Sequence, residues 1–108
     1  MSRDKVVITG IGAVTPNGNN VNDFWTSLTN GISGIGPITY FDSSNHRVKI
    51  AGELNGFQPD SILDPKEIRK LDPFSIYALV ATQEAISMSG LESESLNPDR
   101  IGVTIGTG

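Results

Sequence analysis

The feature that most constrains this chain is a stretch of helical sequence with no polar side. Residues 74–89 (FSIYALVATQEAISMS) carry Phe74, Ile76, Tyr77, Ala78, Leu79, Val80, Ala81, Ala85, Ile86 and Met88, with Glu84 as the only charge. Asp72-Pro73 supplies a cap and a proline at the first helical position, and Gly90 closes the other end. A helix that is apolar nearly all round needs cover on several sides. At 1.5 Å per residue it is about 24 Å long. The remaining sequence predicts only two short helices and three short strands, which is too little cover. The helix therefore needs more protein around it, from the same chain or a partner, and an isolated chain is expected to be poorly soluble.

The other elements follow from spacing and punctuation. Val21, Phe24, Trp25 and Leu28 fall at i, i+3, i+4 and i+7, one face of a helix, so Phe24 and Trp25 are expected to fill core. Asn20 or Asn22 can cap this helix and Gly31 can end it. Residues 31–42 read as a Gly- and Pro-containing connection. Residues 47–54 (RVKIAGEL) alternate as a half-exposed strand with Val48 and Ile50 inward. Residues 55–61 read as loop. Asp64-Pro65-Lys66-Glu67 predicts a short helix with a capping box. A last strand is expected at about 100–105 (RIGVTI). The 108 residues form one unit of alternating strands and helices, an α/β class, with no internal repeat or linker.

Residues 5–18, KVVITGIGAVTPNG, open the chain with a predicted buried strand that ends in glycines and a Pro-Asn-Gly turn. Gly10-Ile11-Gly12 after a strand resembles the start of a dinucleotide fingerprint, but the third glycine position holds Thr15, followed by Pro16. No helix pattern begins until Val21, so no helix N-terminus stands where a pyrophosphate would bind. The glycines read instead as positions of close packing.

Charge and composition exclude several functions. A net charge of −4 and a pI near 4.7 argue against nucleic acid as a general partner. No apolar run approaches the roughly 20 residues of a membrane span, and the first residues lack the apolar core of a secretory signal. There is no Cys and one His, His46, which sits in the polar loop Ser43-Ser44-Asn45-His46 and reads as solvated. Disulfides, thiolate metal sites and a cysteine nucleophile are thereby excluded, and no metal or cofactor is expected. A cytoplasmic setting is expected.

Several blocks in collinear order carry a resemblance. They are VVITGIGAVTPNG, Phe24-Trp25, Asn30-Gly31-x-Ser33-Gly34-Ile35, Phe41-Asp42, Ala51-Gly52, Lys66-Glu67-x-Arg69-Lys70-x-Asp72, Ser89-Gly90-Leu91 and Arg100-Ile101-Gly102-Val103-x-Ile105-Gly106-x-Gly108. Over essentially its whole length the chain resembles the start of the β-ketoacyl-acyl carrier protein synthases, and among them the fatty-acid elongation type. The resemblance implies the N-terminal part of the first half of a five-layered, αβαβα, thiolase-like fold, incomplete in this chain. It implies a cytoplasmic, homodimeric acyltransferase that extends acyl chains by two carbons from malonyl-acyl carrier protein. Family members use a cysteine nucleophile and two histidines, all downstream of the matched region. No catalytic residue is therefore assigned here, and this chain alone is expected to be inactive. Rival readings are a polyketide ketosynthase or its silent partner subunit, and a non-catalytic module that docks a carrier protein.

Lys66, Arg69 and Lys70 fall at i, i+3 and i+4 and share one helix face, with Ile68 and Leu71 on the other side as anchors. Read as charge pattern alone, this is a solvated helix face whose acidic neighbours leave it worth little. The resemblance assigns the three residues to docking of the strongly acidic acyl carrier protein, which such a patch would steer by long-range attraction.

Overall fold

A computed structural model of the chain describes residues 3–91 and 96–108. Thr15 and Gly18 exchange backbone hydrogen bonds of 2.8 and 3.2 Å around Pro16-Asn17, which makes the predicted tight turn. Helix α1 follows at Val21–Thr29. Asn20 caps it, its side-chain oxygen accepting from the Asp23 N–H at 2.8 Å. Asn30 ends it, and Gly31 then turns the chain with a φ of 65°. One expectation fails on this helix. Val21, Phe24 and Ser27 are half-buried, whereas Trp25 is 64% exposed and does not fill core.

Strands β1 (Ile35–Pro37) and β2 (Ile50–Gly52) pair antiparallel, with Ile35 opposite Gly52 and Pro37 opposite Ile50. Strand β1 lies in the stretch read as connection, where its Gly and Pro hid it; a two-stranded ribbon is all edge, and an edge tolerates Pro. Strand β2 is three residues of the predicted eight, and its flank is turned the other way. Val48 is 66% exposed and Ile50 is exposed as well, because a two-stranded ribbon has little against which to bury an apolar face.

The strands predicted at 5–9 and 100–105 are not formed. Val6 is 97% exposed and Val103 83%. Both stretches have β-favouring composition, but a strand exists through ladder bonds to a neighbour, and none among the described residues supplies them. Residues Pro98–Arg100 instead make a 3-10 turn capped by the Asn97 side chain.

Helix α2 is a single turn, Pro65–Ile68. Asp64 caps it through the Lys66 N–H at 2.9 Å, rather than through the Glu67 N–H that a capping box requires. Helix α3, Pro73–Ser89, is the longest element, as predicted; it ends at Gly90 with a φ of 73°. The buried core among the described residues is two residues of α3 four apart, Ile76 and Val80. Phe57 meets Tyr77 edge-on at 5.5 Å beside them. Phe74, Leu79 and Met88 on the same helix stay exposed. The radius of gyration is 17.5 Å, against about 13 Å for a compact domain of this length. The other described residues thus cover one side of α3 and leave its other sides open.

The opening segment lies along that covered side. A Cβ at Gly12 would fall on the Ala81 carbonyl, and a Cβ at Gly10 on the Ala85 carbonyl oxygen. The glycines expected to allow close packing do so against α3, backbone to backbone.

Candidate functional site

The three cations singled out from the sequence stand at the junction of α2 and α3. Asp64 and Pro65 start α2, and the helix stops at Ile68 because Asp72-Pro73 begins the next one four residues on. Lys66 lies inside α2, Arg69 is its C-cap residue, and Lys70 follows in a turn whose N–H donates to the Glu67 carbonyl at 3.0 Å. All three side chains are exposed, and none is held by an ion pair among the described residues. Ile68 and Leu71 are half-buried, as their anchoring role requires. The sequence thus places the three residues together, and the structure leaves all three exposed. Residues 60–72 also carry Asp60, Asp64, Glu67 and Asp72, four carboxylates for three cations. The far field of this surface is therefore weak, and any selectivity rests on local geometry.

Sequence reasoning missed what Glu84 does. Its carboxylate accepts from the Ala13 N–H at 3.0 Å and from the Val21 N–H at 3.0 and 3.2 Å. Val21 is the first residue of α1, whose leading N–H groups have no partner within the helix. A carboxylate at that end also meets the positive pole of the α1 dipole. One side chain of α3 thus holds both the glycine segment and the start of α1. The signal in the sequence was a single carboxylate on an otherwise uncharged helix, a position that needs a partner when it is half-buried.

A second carboxylate organises the β ribbon. Glu53 accepts from the Thr39 hydroxyl at 2.6 Å, from the Thr39 N–H at 2.9 Å and from the Tyr40 N–H at 3.1 Å. The Thr39 hydroxyl in particular, with the two N–H groups, holds the Glu53 carboxyl below its usual range. Asp42 is lowered in the same way, chiefly by the Ser44 N–H. His46 is exposed beside them, with its ring edge-on to Phe41 at 5.4 Å.

No group of His, Cys, Asp or Glu with metal-holding geometry exists among the described residues. No described helix is long and apolar enough to cross a membrane. An open groove of about 720 Å³ runs between Phe74, Ser75, Ala78 and Leu79 of α3 and residues 105–108. It holds no titratable side chain, so it can accommodate apolar matter but cannot move a proton. Among the described residues the chain offers a scaffold and an exposed cluster of three cations.

The fold, one long apolar helix crossed by a glycine-bearing segment, is shared with solved ketosynthases. The chain belongs to the β-ketoacyl synthase family: residues 3–108 match the family's N-terminal domain profile. Over all 108 residues it is 44% identical to 3-oxoacyl-(acyl-carrier-protein) synthase 2 of Synechocystis sp. and 46% identical to the protein of that name from Coxiella burnetii. It spans about a quarter, 26%, of the length of these curated relatives. Among solved structures, the ishigamide ketosynthase/chain length factor superposes with a TM-score of 0.71 at 28% identity, covering 89% of this chain and 23% of that one. The type II polyketide ketosynthase AntDE, solved with its acyl carrier protein AntF, gives 0.62 at 27% identity, covering 85% and 24%.

Proposed function

We propose that this chain is the N-terminal portion of a β-ketoacyl-acyl carrier protein synthase of the elongation type. The whole enzyme is an acyltransferase that condenses an acyl group with malonyl-acyl carrier protein. The observation that carries this reading is the level of likeness. Identity is 44–46% across the full chain to relatives named 3-oxoacyl-acyl carrier protein synthase 2. It is 27–28% to the polyketide ketosynthases that share the fold. Fatty-acid elongation is favoured over polyketide synthesis on that difference. The five-layered fold, the homodimer and the cytoplasmic setting belong to the same reading.

Condensation needs a nucleophile to hold the acyl group and donors to stabilise the enolate that forms on decarboxylation. These 108 residues contain no Cys, and His46 is solvent-exposed beside the β ribbon. The chain on its own is therefore inactive, and its contribution to the enzyme is structural and recognitive. Lys66, Arg69 and Lys70 form the carrier-protein docking face. Their cations are exposed and unpaired among the described residues, stand together at the C-terminal end of α2, and are of the sign that an acidic carrier protein would meet.

The test uses the complete enzyme encoded by the uninterrupted reading frame. Malonyl-dependent elongation of acyl-carrier protein is expected from it and not from the 108-residue chain. In the complete enzyme Lys66→Glu with Arg69→Glu should raise KM for the carrier protein at low salt while leaving kcat unchanged. An unchanged KM refutes the docking assignment, and elongation by the 108-residue chain refutes the division of labour.

A further inference from the structure

The chain contains three Asn-Gly pairs, at 17–18, 30–31 and 55–56. Asn is chemically labile, and a following glycine has no Cβ to hinder attack of its backbone nitrogen on the Asn side-chain carbon. The structure treats the three pairs differently. The Asn17 side chain donates to the Ile32 carbonyl at 3.1 Å and accepts from the Thr15 hydroxyl at 3.1 Å, while the Gly18 N–H donates to the Thr15 carbonyl at 3.2 Å. The Asn30 side chain donates to the Thr26 carbonyl at 2.9 Å, and the Gly31 N–H donates to the Leu28 carbonyl at 3.2 Å. In both pairs the electrophile and the nucleophile are each tied down. Asn55 is exposed, and its side chain makes one long bond, 3.4 Å to the Pro16 carbonyl. The Gly56 N–H meets no acceptor among the described residues.

We infer that Asn55 is the spontaneous deamidation site of this chain. The Gly56 nitrogen, losing its proton to water or hydroxide, bonds to Cγ of Asn55. The bond from Cγ to Nδ2 breaks, and ammonia leaves with a proton. Water then opens the succinimide at either carbonyl, giving Asp or isoaspartate, with no change of oxidation state. The product matters locally. Asn55 borders a hollow lined by Pro16, Asn17, Asn19 and Asp23, and its carbonyl accepts from the Asn19 side chain at 2.7 Å. A carboxylate at this position loses the donor to Pro16 and adds a negative charge to a hollow that already holds Asp23. Isoaspartate also lengthens the backbone there by one carbon. Deamidation therefore loosens the tie between the Pro16–Asn19 turn and the loop after β2.

The test is a time course of the complete native enzyme at mildly alkaline pH, read by tryptic mapping. The peptide 50–66 holds Asn55 as its only Asn, whereas Asn17 and Asn30 fall together in 6–47 and are separated by fragmentation. Asn55 should convert roughly fivefold or more faster than either, the factor for one net hydrogen bond that must break before attack. In concentrated urea the three rates should converge. Equal native rates, or a native order led by Asn17 or Asn30, overturn the inference.

Discussion

Replacing Glu84 by Ala should release two parts of the molecule at once. The carboxylate takes the N–H groups of Ala13 and Val21 at 3.0 to 3.2 Å. Hydrogen bonds to a charged acceptor contribute about 1.5–3 kcal/mol each, and a half-buried donor left behind recovers part of that from water. Two such bonds, discounted for the half-buried site, give a cost of about 2–4 kcal/mol for Glu84→Ala. Glu84→Gln keeps one acceptor oxygen and loses the charge, so about 1–2 kcal/mol is expected. Native-state amide exchange locates the effect. A loss of 2 kcal/mol is about a thirtyfold fall in protection, and it should appear at Ala13, at Val21 and through the first turn of α1. Urea unfolding of the complete enzyme gives the global value. A Glu84→Ala enzyme within about 0.5 kcal/mol of the parent, with unchanged exchange at both amides, would refute the reasoning. So would identical behaviour of the Ala and Gln variants, since only the latter retains an acceptor.

Two further outcomes are expected. Gly12→Ala must push the opening segment off the Ala81 carbonyl, and should cost about 1–3 kcal/mol in chemical denaturation, where Gly31→Ala, which meets no atom, loses only through its positive φ. The Glu53 carboxyl is held below the ordinary glutamate value of 4.5, so its stabilisation of the ribbon is present above that pH and is lost as pH falls through the lower folded value. Acid titration followed by the Tyr40 and Thr39 amide signals should show this loss, and Glu53→Gln should remove it. An acid transition that persists in Glu53→Gln would assign it elsewhere.

Local signals in this sequence were legible and distant ones were not. Asn20, Gly31, Asp64, Pro73 and Gly90 act within a turn of their own position, and the helices begin and end where they stand. The family was readable from collinear blocks, and the i, i+3, i+4 spacing located three exposed cations. Strand identity failed because it depends on partners. Residues 5–9 and 100–105 have strand composition but no ladder among the described residues, while Ile35–Pro37 has poor strand composition and a partner in β2. Trp25 was misplaced because periodicity defines a face without saying whether anything covers it. Glu84 stood out as a lone charge, but its partners are backbone N–H groups 71 and 63 residues away, and no pattern of side chains encodes them.

The crossing of Gly10 and Gly12 over α3 has a consequence for order rather than for affinity. Most packed interfaces gain contact by freezing rotamers, and they can relax by letting a side chain swing aside. Here the touching surfaces are main chain on both sides, so forming the contact freezes no side-chain rotamer and leaves nothing soft to yield. The spacing between the segment and the helix is then fixed by atomic radii, and the two move as a rigid gauge for whatever is built against them.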